Sequence, residues 1–421
     1  MIVRDVLGRD WFHRMWTIQE FALSRVARFQ YGNSGILWET LLLGIQTLTA
    51  GLRRPGGYTV VEKDFEGVLD LYHRIRSAVE AKRGSQPTTT KLPFADLLLT
   101  TGREASEPRD KAYSLYGLFN LFGMAVPEAD YSKSLELIYR ELTQAAILHD
   151  KAPMVLDFIC IRERDERLPP WVPNWNGDMT GWAMAPRKFD ATKSSTPSCS
   201  FSQSGCRLTI SGILVDKIDE RAELVFETKS GKWTGGTVAP AFETIRVIQQ
   251  WQDFAVRRFP EPYKTGQTVQ DAFFRSLIEH GAAAKERNIE NYRKSFKQWH
   301  EAVMSADLGE VLAKYHGKEE SEIFPALGLE GAGTYFHVQM SFHTRRKAFC
   351  STATGFMAMV PEAARAGDLV ILLAGLSLPF VVRRDQDCDT YRLIGPAYVH
   401  GMMDGELWPG NPGSLSKFTF D

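Results

Sequence analysis

The stretch Trp11-Phe12-His13-Arg14-Met15-Trp16-Thr17-Ile18-Gln19-Glu20, continued by Phe21-Ala22-Leu23, reads as an amphipathic helix and casts the first part of the chain as a helical body. Within a helix spanning 10–28, Phe12, Trp16 and Leu23 share one stripe, with Met15, Ala22 and Val26 beside it. Asp10 stands where an N-cap belongs. The following residues, Val26 to Tyr31, can end as a short strand before the turn Gly32-Asn33-Ser34-Gly35. Helical periodicity returns at 37–49 and 63–82, and again from Leu92 to Thr100.

Further along, Ser106-Glu107-Pro108 is a helix-start signal for a segment carrying Ala112, Leu115, Tyr116 and Phe119 on one side. Asp130-Tyr131-Ser132 starts another, with Leu135, Ile138, Tyr139, Leu142 and Ala146 at helical spacing. Leu168-Pro169-Pro170-Trp171-Val172-Pro173-Asn174-Trp175 excludes helix. Its prolines hold it extended, and Trp171 and Trp175 are expected to anchor it to the helical body.

The pattern changes near residue 200. Arg207 to Val215 alternates like a strand, residues 239–317 are helical and charge-rich, and short β-rich runs follow at Lys347–Thr352, Leu369–Ala374, Phe380–Arg384, Tyr391–Ile394 and Ala397–His400. Regular short strands between turn residues predict a small barrel that the strand near 210 joins, making about 235–330 a helical insertion. The expected fold is α+β: a mostly helical N-terminal body, then a small C-terminal β-barrel with a helical insertion. The corresponding segments are 1–50, 51–180 and 181–421.

Charge is balanced, with 50 Lys+Arg against 51 Asp+Glu, and no basic face of the kind a sequence-independent nucleic-acid binder needs. Five cysteines without C-x-x-C spacing predict thiols in a cytoplasmic protein rather than disulfides or a zinc site. The longest apolar run, Leu369 to Val382, is too short and too interrupted to span a bilayer.

Several segments, in order, resemble one family. Trp11 to Glu20 is similar to the "WF.R.W..QE" helix of fungal heterokaryon-incompatibility (HET) domains, and Pro108-Arg109-Asp110-Lys111-Ala112-Tyr113-Ser114-Leu115-Tyr116-Gly117-Leu118 to their "PRDK.YAL.GL". Pro127 to Ser134 resembles "PDYSKS" with one inserted residue, and Leu168 to Trp175 matches "LP.WVP.W". Ala366-Gly367-Asp368-Leu369-Val370, Pro379 to Arg383, Tyr391 to Gly395, Tyr398-Val399-His400-Gly401 and Met403-Asp404-Gly405-Glu406 resemble the β-rich C-terminal region. HET domains usually open with a "Y.ALSY.WG" strand before the first of these helices. This chain begins almost directly at the helix, so the resemblance implies a HET core lacking that part. It also implies an effector or regulator of nonself recognition and programmed cell death, with a protein partner or self-association.

The same helix resembles, more remotely, a Toll/interleukin-1 receptor (TIR) helix whose glutamate serves cleavage of NAD. By that resemblance Glu20 is the candidate catalytic residue, Trp16 a stacking wall, Gln19 a polar contact, and NAD a substrate rather than a cofactor. On the stripe assigned to the core, Glu20 is expected to be half-buried beside an indole. The competing reading pairs Glu20 with an arginine such as Arg109, simply joining two helices.

Arg109, Asp110 and Lys111 could grip a phosphate, but as first-turn charges they fit a structural motif better, as do Asp130, Trp171 and Trp175. Tyr113 and Tyr116 read as packing. His337, His343 and Cys350 match no metal-ligand spacing, and His400 with Asp404 and Glu406 reads as a turn; no metal is predicted. If catalysis is absent, the alternative is a non-enzymatic interaction module or an inactive remnant.

Overall fold

Backbone hydrogen bonds from a distant loop interrupt the opening motif. In the computed structural model, Asp10–His13 form a single 3-10 turn and the α-helix α1 runs only over Trp16–Leu23. Between them, Glu104 N–H donates to the His13 carbonyl at 2.6 Å and Met15 N–H to the Glu104 carbonyl at 2.8 Å. This parallel bridge fixes Arg14 in extended backbone, so the helix expected from Asp10 cannot be continuous and Asp10 caps nothing. The structure describes residues 9–52, 60–84, 91–92, 94–98, 100–150, 154–159, 165–177, 189–223, 238–279, 286–305, 307–315, 324–329, 331–344 and 346–421.

Two compact units make up the chain: Met1–His149 with Trp175–Thr180, and Asp150–Asn174 with Gly181–Asp421. In the first, α1 leads into a two-stranded hairpin, β1 (Arg28–Tyr31) and β2 (Ser34–Leu37), whose two-residue turn has Gly32 at φ 56°. Helices α2 (Trp38–Leu52), α3 (Val60–Arg83), α4 (Phe94–Leu98), α5 (Asp110–Leu121) and α6 (Leu135–Asp150) follow. α1 packs against α3 and α5. Tyr72 of α3 is the centre of this packing. Its ring stacks on Trp11 at 5.7 Å, meets Phe21 edge-on at 5.2 Å, and shares its hydroxyl with Thr17 Oγ1 at 2.9 Å. Aromatic pairs of this kind add about 0.5–1.5 kcal/mol each beyond area burial.

The two expected helix starts shift inward. Arg109, not Ser106, is the N-cap of α5, and the Glu107 carboxylate accepts the Arg109 N–H at 3.2 Å. Asp130-Tyr131-Ser132 forms an Asx turn ahead of α6, in which Asp130 Oδ1 accepts from Ser132 N–H and Oγ at 2.9 and 2.7 Å. Ser134 Oγ then accepts the Leu137 N–H at 3.3 Å.

In the second unit the fold turns on β4 (Leu208–Arg221). It pairs antiparallel with β3 (Cys199–Phe201), β5 (Lys347–Thr352), β7 (Leu369–Leu373) and β11 (Ser416–Phe420) along successive parts of its length. A register shift between Leu214 and Asp216 bends it. With β8 (Pro379–Arg384) and β9 (Tyr391–Pro396), the pairings β4–β11–β9–β8–β7–β4 close a ring, and β5, β6 (Met357–Pro361) and β10 (Tyr398–Val399) extend from the far part of β4. Closure removes the edges these apolar strands would otherwise expose.

Between β4 and β5 lie helices α7 (Val238–Arg258), α8 (Val269–Leu277), α9 (Glu286–Ser305), α10 (Leu308–Tyr315) and α11 (Ala332–Thr344). Trp251 of α7 stacks on Phe349 of β5 at 5.8 Å, so these helices lean on the sheet. The α+β class expected from sequence holds: helices before, sheet after. Among the described residues no helix is long and apolar enough to cross a membrane.

Candidate functional site

Where α1, the hairpin and the start of α2 converge, they leave a cavity of about 750 Å³. Glu20 and Phe21 of α1 line it, with Trp11, Arg28, Phe29 and Trp38 among the other wall residues. Five of the thirteen wall residues are aromatic: Trp11, Phe12, Phe21, Phe29 and Trp38. Phe12 stacks on Phe29 at 5.7 Å, and Phe21 meets Trp38 at 4.4 Å.

Glu20 is exposed, and the expectation of a half-buried carboxylate on the core stripe is corrected. The bridge at Arg14 resets the phase of α1, whose buried face is Thr17, Ile18, Phe21 and Ala22. Among the described residues no hydrogen-bond or ion-pair partner holds its carboxylate. Arg109 does not pair with it. That guanidinium donates to the Glu107 carboxylate at 2.8 Å and to the Lys133 carbonyl at 3.1 Å.

The other two residues expected beside Glu20 lie elsewhere. Trp16 is absent from the cavity wall, and Trp11, five residues earlier in the same motif, is on it. Gln19 Oε1 accepts the backbone N–H of Gly117 at 2.8 Å, tying α1 to α5. A Cβ on Gly117 would lie 2.5 Å from Gln19 Oε1 and 3.2 Å from Leu23 Cδ1, so a larger residue there must displace these side chains. Arg28 and Trp38 carried no motif of their own. Their only sequence signal is the Gly32-Asn33 turn, which folds both back toward α1.

The remaining motif residues are engaged in contacts with backbone carbonyls and neighbouring side chains. Lys111 Nζ is buried and donates to the carbonyls of Thr101, at 2.7 Å, and Arg103, ending the turn after α4. Tyr131 donates to Asp110 Oδ1 at 2.6 Å, and that acceptor lifts the Tyr131 phenol to about 12. Tyr113 hydroxyl donates to the Asp130 carbonyl at 2.7 Å, a packing contact as expected. The two tryptophans of the Pro-rich stretch divide. Trp175 Nε1 donates to Thr143 Oγ1 at 3.0 Å in the helical unit, whereas Trp171 Nε1 donates to the Cys206 carbonyl at 2.8 Å in the barrel unit. Of the two, Trp175 is the one that bonds to the helical body, because the chain passes from one unit into the other between them, at Asn174 and Trp175.

In the second unit, the three residues weighed as metal ligands face different partners. His337 Nδ1 accepts from Trp299 Nε1 at 3.2 Å, and burial drives the imidazole down to about 4. His343 lies 3.3 Å from Glu279, whose carboxylate also pairs with buried Lys347. Cys350 is buried among the apolar residues of the barrel, and burial pushes its thiol up to about 12. No group of three or more potential metal ligands occurs among the described residues. His400 is held between Gln267, at 2.7 Å, and Tyr398, at 3.0 Å.

Comparisons with known proteins agree with the motifs. Residues 249–411 match the family described as the Het-6 beta-barrel domain. The chain is 23% identical over 458 aligned residues, 95% of its own length, to heterokaryon incompatibility protein 6, OR allele, of Neurospora crassa. It spans 65% of that relative's length. No solved structure matches it.

Proposed function

We propose that this chain, a fungal HET-type protein by its ordered motifs and its barrel, acts in nonself recognition as an effector or regulator of programmed cell death, and that it does so by cleaving the nicotinamide–ribose bond of NAD at Glu20. The observation that supports the catalytic part is a carboxylate without a partner among the described residues, on the wall of a cavity with five aromatic wall residues. Departure of nicotinamide takes the C1′–N electron pair with it and leaves an oxocarbenium-like ribose. A carboxylate held near that ring stabilises the positive charge or orients the ribose hydroxyls. Water then adds at C1′ and loses a proton, giving ADP-ribose, nicotinamide and H⁺. Glu20 makes no ion pair among the described residues.

Nicotinamide release from NAD by purified protein, compared with Glu20→Ala, tests this. A drop of about 10²-fold or more supports it. Equal rates would remove Glu20 from the chemistry.

A second reading, a non-enzymatic interaction module, draws support from Gln19, Arg109, Asp110 and Lys111, all taken up by internal contacts. Copurification of a specific protein partner, or self-association, lost on disrupting the 347–420 barrel and unchanged by Glu20→Ala, would favour it.

A further inference from the structure

Alternation along β1 divides its backbone between two edges. Its register with β2 runs from Arg28↔Leu37 to Tyr31↔Ser34, and beyond it the Trp38 N–H donates to the Ala27 carbonyl at 3.0 Å. In an antiparallel pair only every second residue exchanges hydrogen bonds with its opposite number. Ala27, Phe29 and Tyr31 therefore bond toward β2, while Arg28 and Gln30 turn their N–H and C=O groups outward. Those outward groups have no partner among the described residues. The cavity lies along the same edge, since Val26, Ala27, Arg28, Phe29 and Gln30 all line it. Successive side chains alternate between the two faces of a strand, so a space touching five residues in a row runs beside the strand rather than over one face. The Arg28 guanidinium is turned the other way. A Cβ on Gly35 would lie 2.7 Å from its Nε, which places it across β2, on the far side from the open edge. Glu20, on the same wall, is exposed and has no cation beside it among the described residues.

Resting on the second reading above, an interaction module, we propose that the open edge of β1 is a docking edge for a partner protein. The partner supplies one extended segment, a strand of apolar residues with a lysine or arginine among them. Unpaired N–H and C=O groups on an edge strand are a template for such a segment. Its main chain pairs with Arg28 and Gln30, which gives affinity, and its side chains give specificity. The apolar ones lie against Phe29 and against Val26, which is 70% exposed, and the cation answers Glu20.

Fluorescence anisotropy of a labelled peptide, Val-Thr-Val-Lys-Val-Thr-Val, titrated with the full chain tests the proposal. The peptide is expected to bind about fivefold or more tighter than its counterpart with Glu in place of Lys, and Glu20→Lys to reverse that order. Of two isomers N-methylated on alternate amides, one should keep its affinity and the other lose about tenfold or more, because only every second amide faces β1. Arg28→Pro removes an outward N–H without touching the bonds to β2 and is expected to lose the peptide, whereas Arg28→Ala retains it. Far-UV circular dichroism establishes that each variant is folded, and the N-methylated pair reads the edge in the unaltered protein. No binding, equal affinity for the Lys and Glu peptides, N-methylated isomers that bind alike, or Arg28→Pro binding as wild type would overturn it. Dimerisation abolished by Arg28→Pro would give the edge to a second copy and overturn the partner named. A copurifying partner indifferent to Arg28→Pro would sink this edge and leave the interaction module standing; peptide binding without any barrel-dependent copurification would do the reverse.

Discussion

The guanidinium of Arg76 closes the C-terminal end of α1, its Nη1 donating to the Phe21 carbonyl at 3.0 Å. The same group reaches Ser24 Oγ at 3.0 Å, pairs with Glu80 at 2.9 Å and lies over the Phe21 ring at 5.1 Å. A cation at this end of a helix also meets the negative pole of its dipole. The helix that presents Glu20 to the cavity is therefore positioned from α3.

Arg76→Ala takes this donor from the Phe21 carbonyl of α1 and from the Ser24 and Arg25 carbonyls just past its end, and removes a packed stem. Loss of about 2–4 kcal/mol is expected in urea denaturation, with Arg76→Lys recovering only part, since one ammonium cannot replace Nη1 at Phe21 and Ser24 together with Nη2 at Arg25 and Nε at Glu80. A change under about 0.5 kcal/mol would show that α1 does not depend on this contact.

Gly117→Ala drives a methyl group into Gln19 Oε1, and overpacking at a helix crossing costs about 1–3 kcal/mol. Gln19→Ala removes the atom that clashes. The double variant is expected to be less destabilised than the sum of the two single ones, a positive coupling in a double-mutant cycle. Additive effects would mean that the crossing is set elsewhere.

Asp157 is buried in the 3-10 turn Met154–Phe158, and burial raises its carboxyl to about 8. Its proton is held more tightly folded than unfolded, so its contribution to stability falls as pH rises from about 4 to about 8 and is flat above. At 1.36 kcal/mol per unit the span is on the order of 5 kcal/mol. Asp157→Asn should remove that slope and melt above wild type at pH 8.5, as thermal unfolding across pH would record. Parallel pH profiles for the two proteins would contradict the assignment.

His337 has the opposite sign. With its folded pKa lowered to about 4, its stabilisation is present in full above the unfolded value near 6.5 and is lost as pH falls from there to about 4. The amount is on the order of 3 kcal/mol. His337→Gln retains an acceptor for Trp299 Nε1 without titrating, and is expected to flatten the acid limb of the Tm profile between pH 6.5 and 4.

Local pattern was sufficient where a segment's own residues decide its conformation. The run Lys347–Thr352 and the starts of β7 and β9 were legible because apolar residues lie between turn residues. β6 was not, since Met357–Pro361 holds a single β-branched residue, Val360, and ends on a proline. β11 escaped notice because its five residues find their partner in β4, some two hundred positions earlier.

The chemistry-bearing residues were readable as types and as an ordered set of motifs, which is all that family resemblance needs. The direction in which Glu20 points was not readable. Helical phase can be extrapolated from a periodic pattern only while the helix is unbroken, and here two backbone hydrogen bonds from Glu104 restart it at Met15. A cavity wall, likewise, is assembled from segments that meet only on folding: Trp11 before α1, Arg28 on the hairpin and Trp38 at the head of α2 carry no shared spacing that one dimension could display.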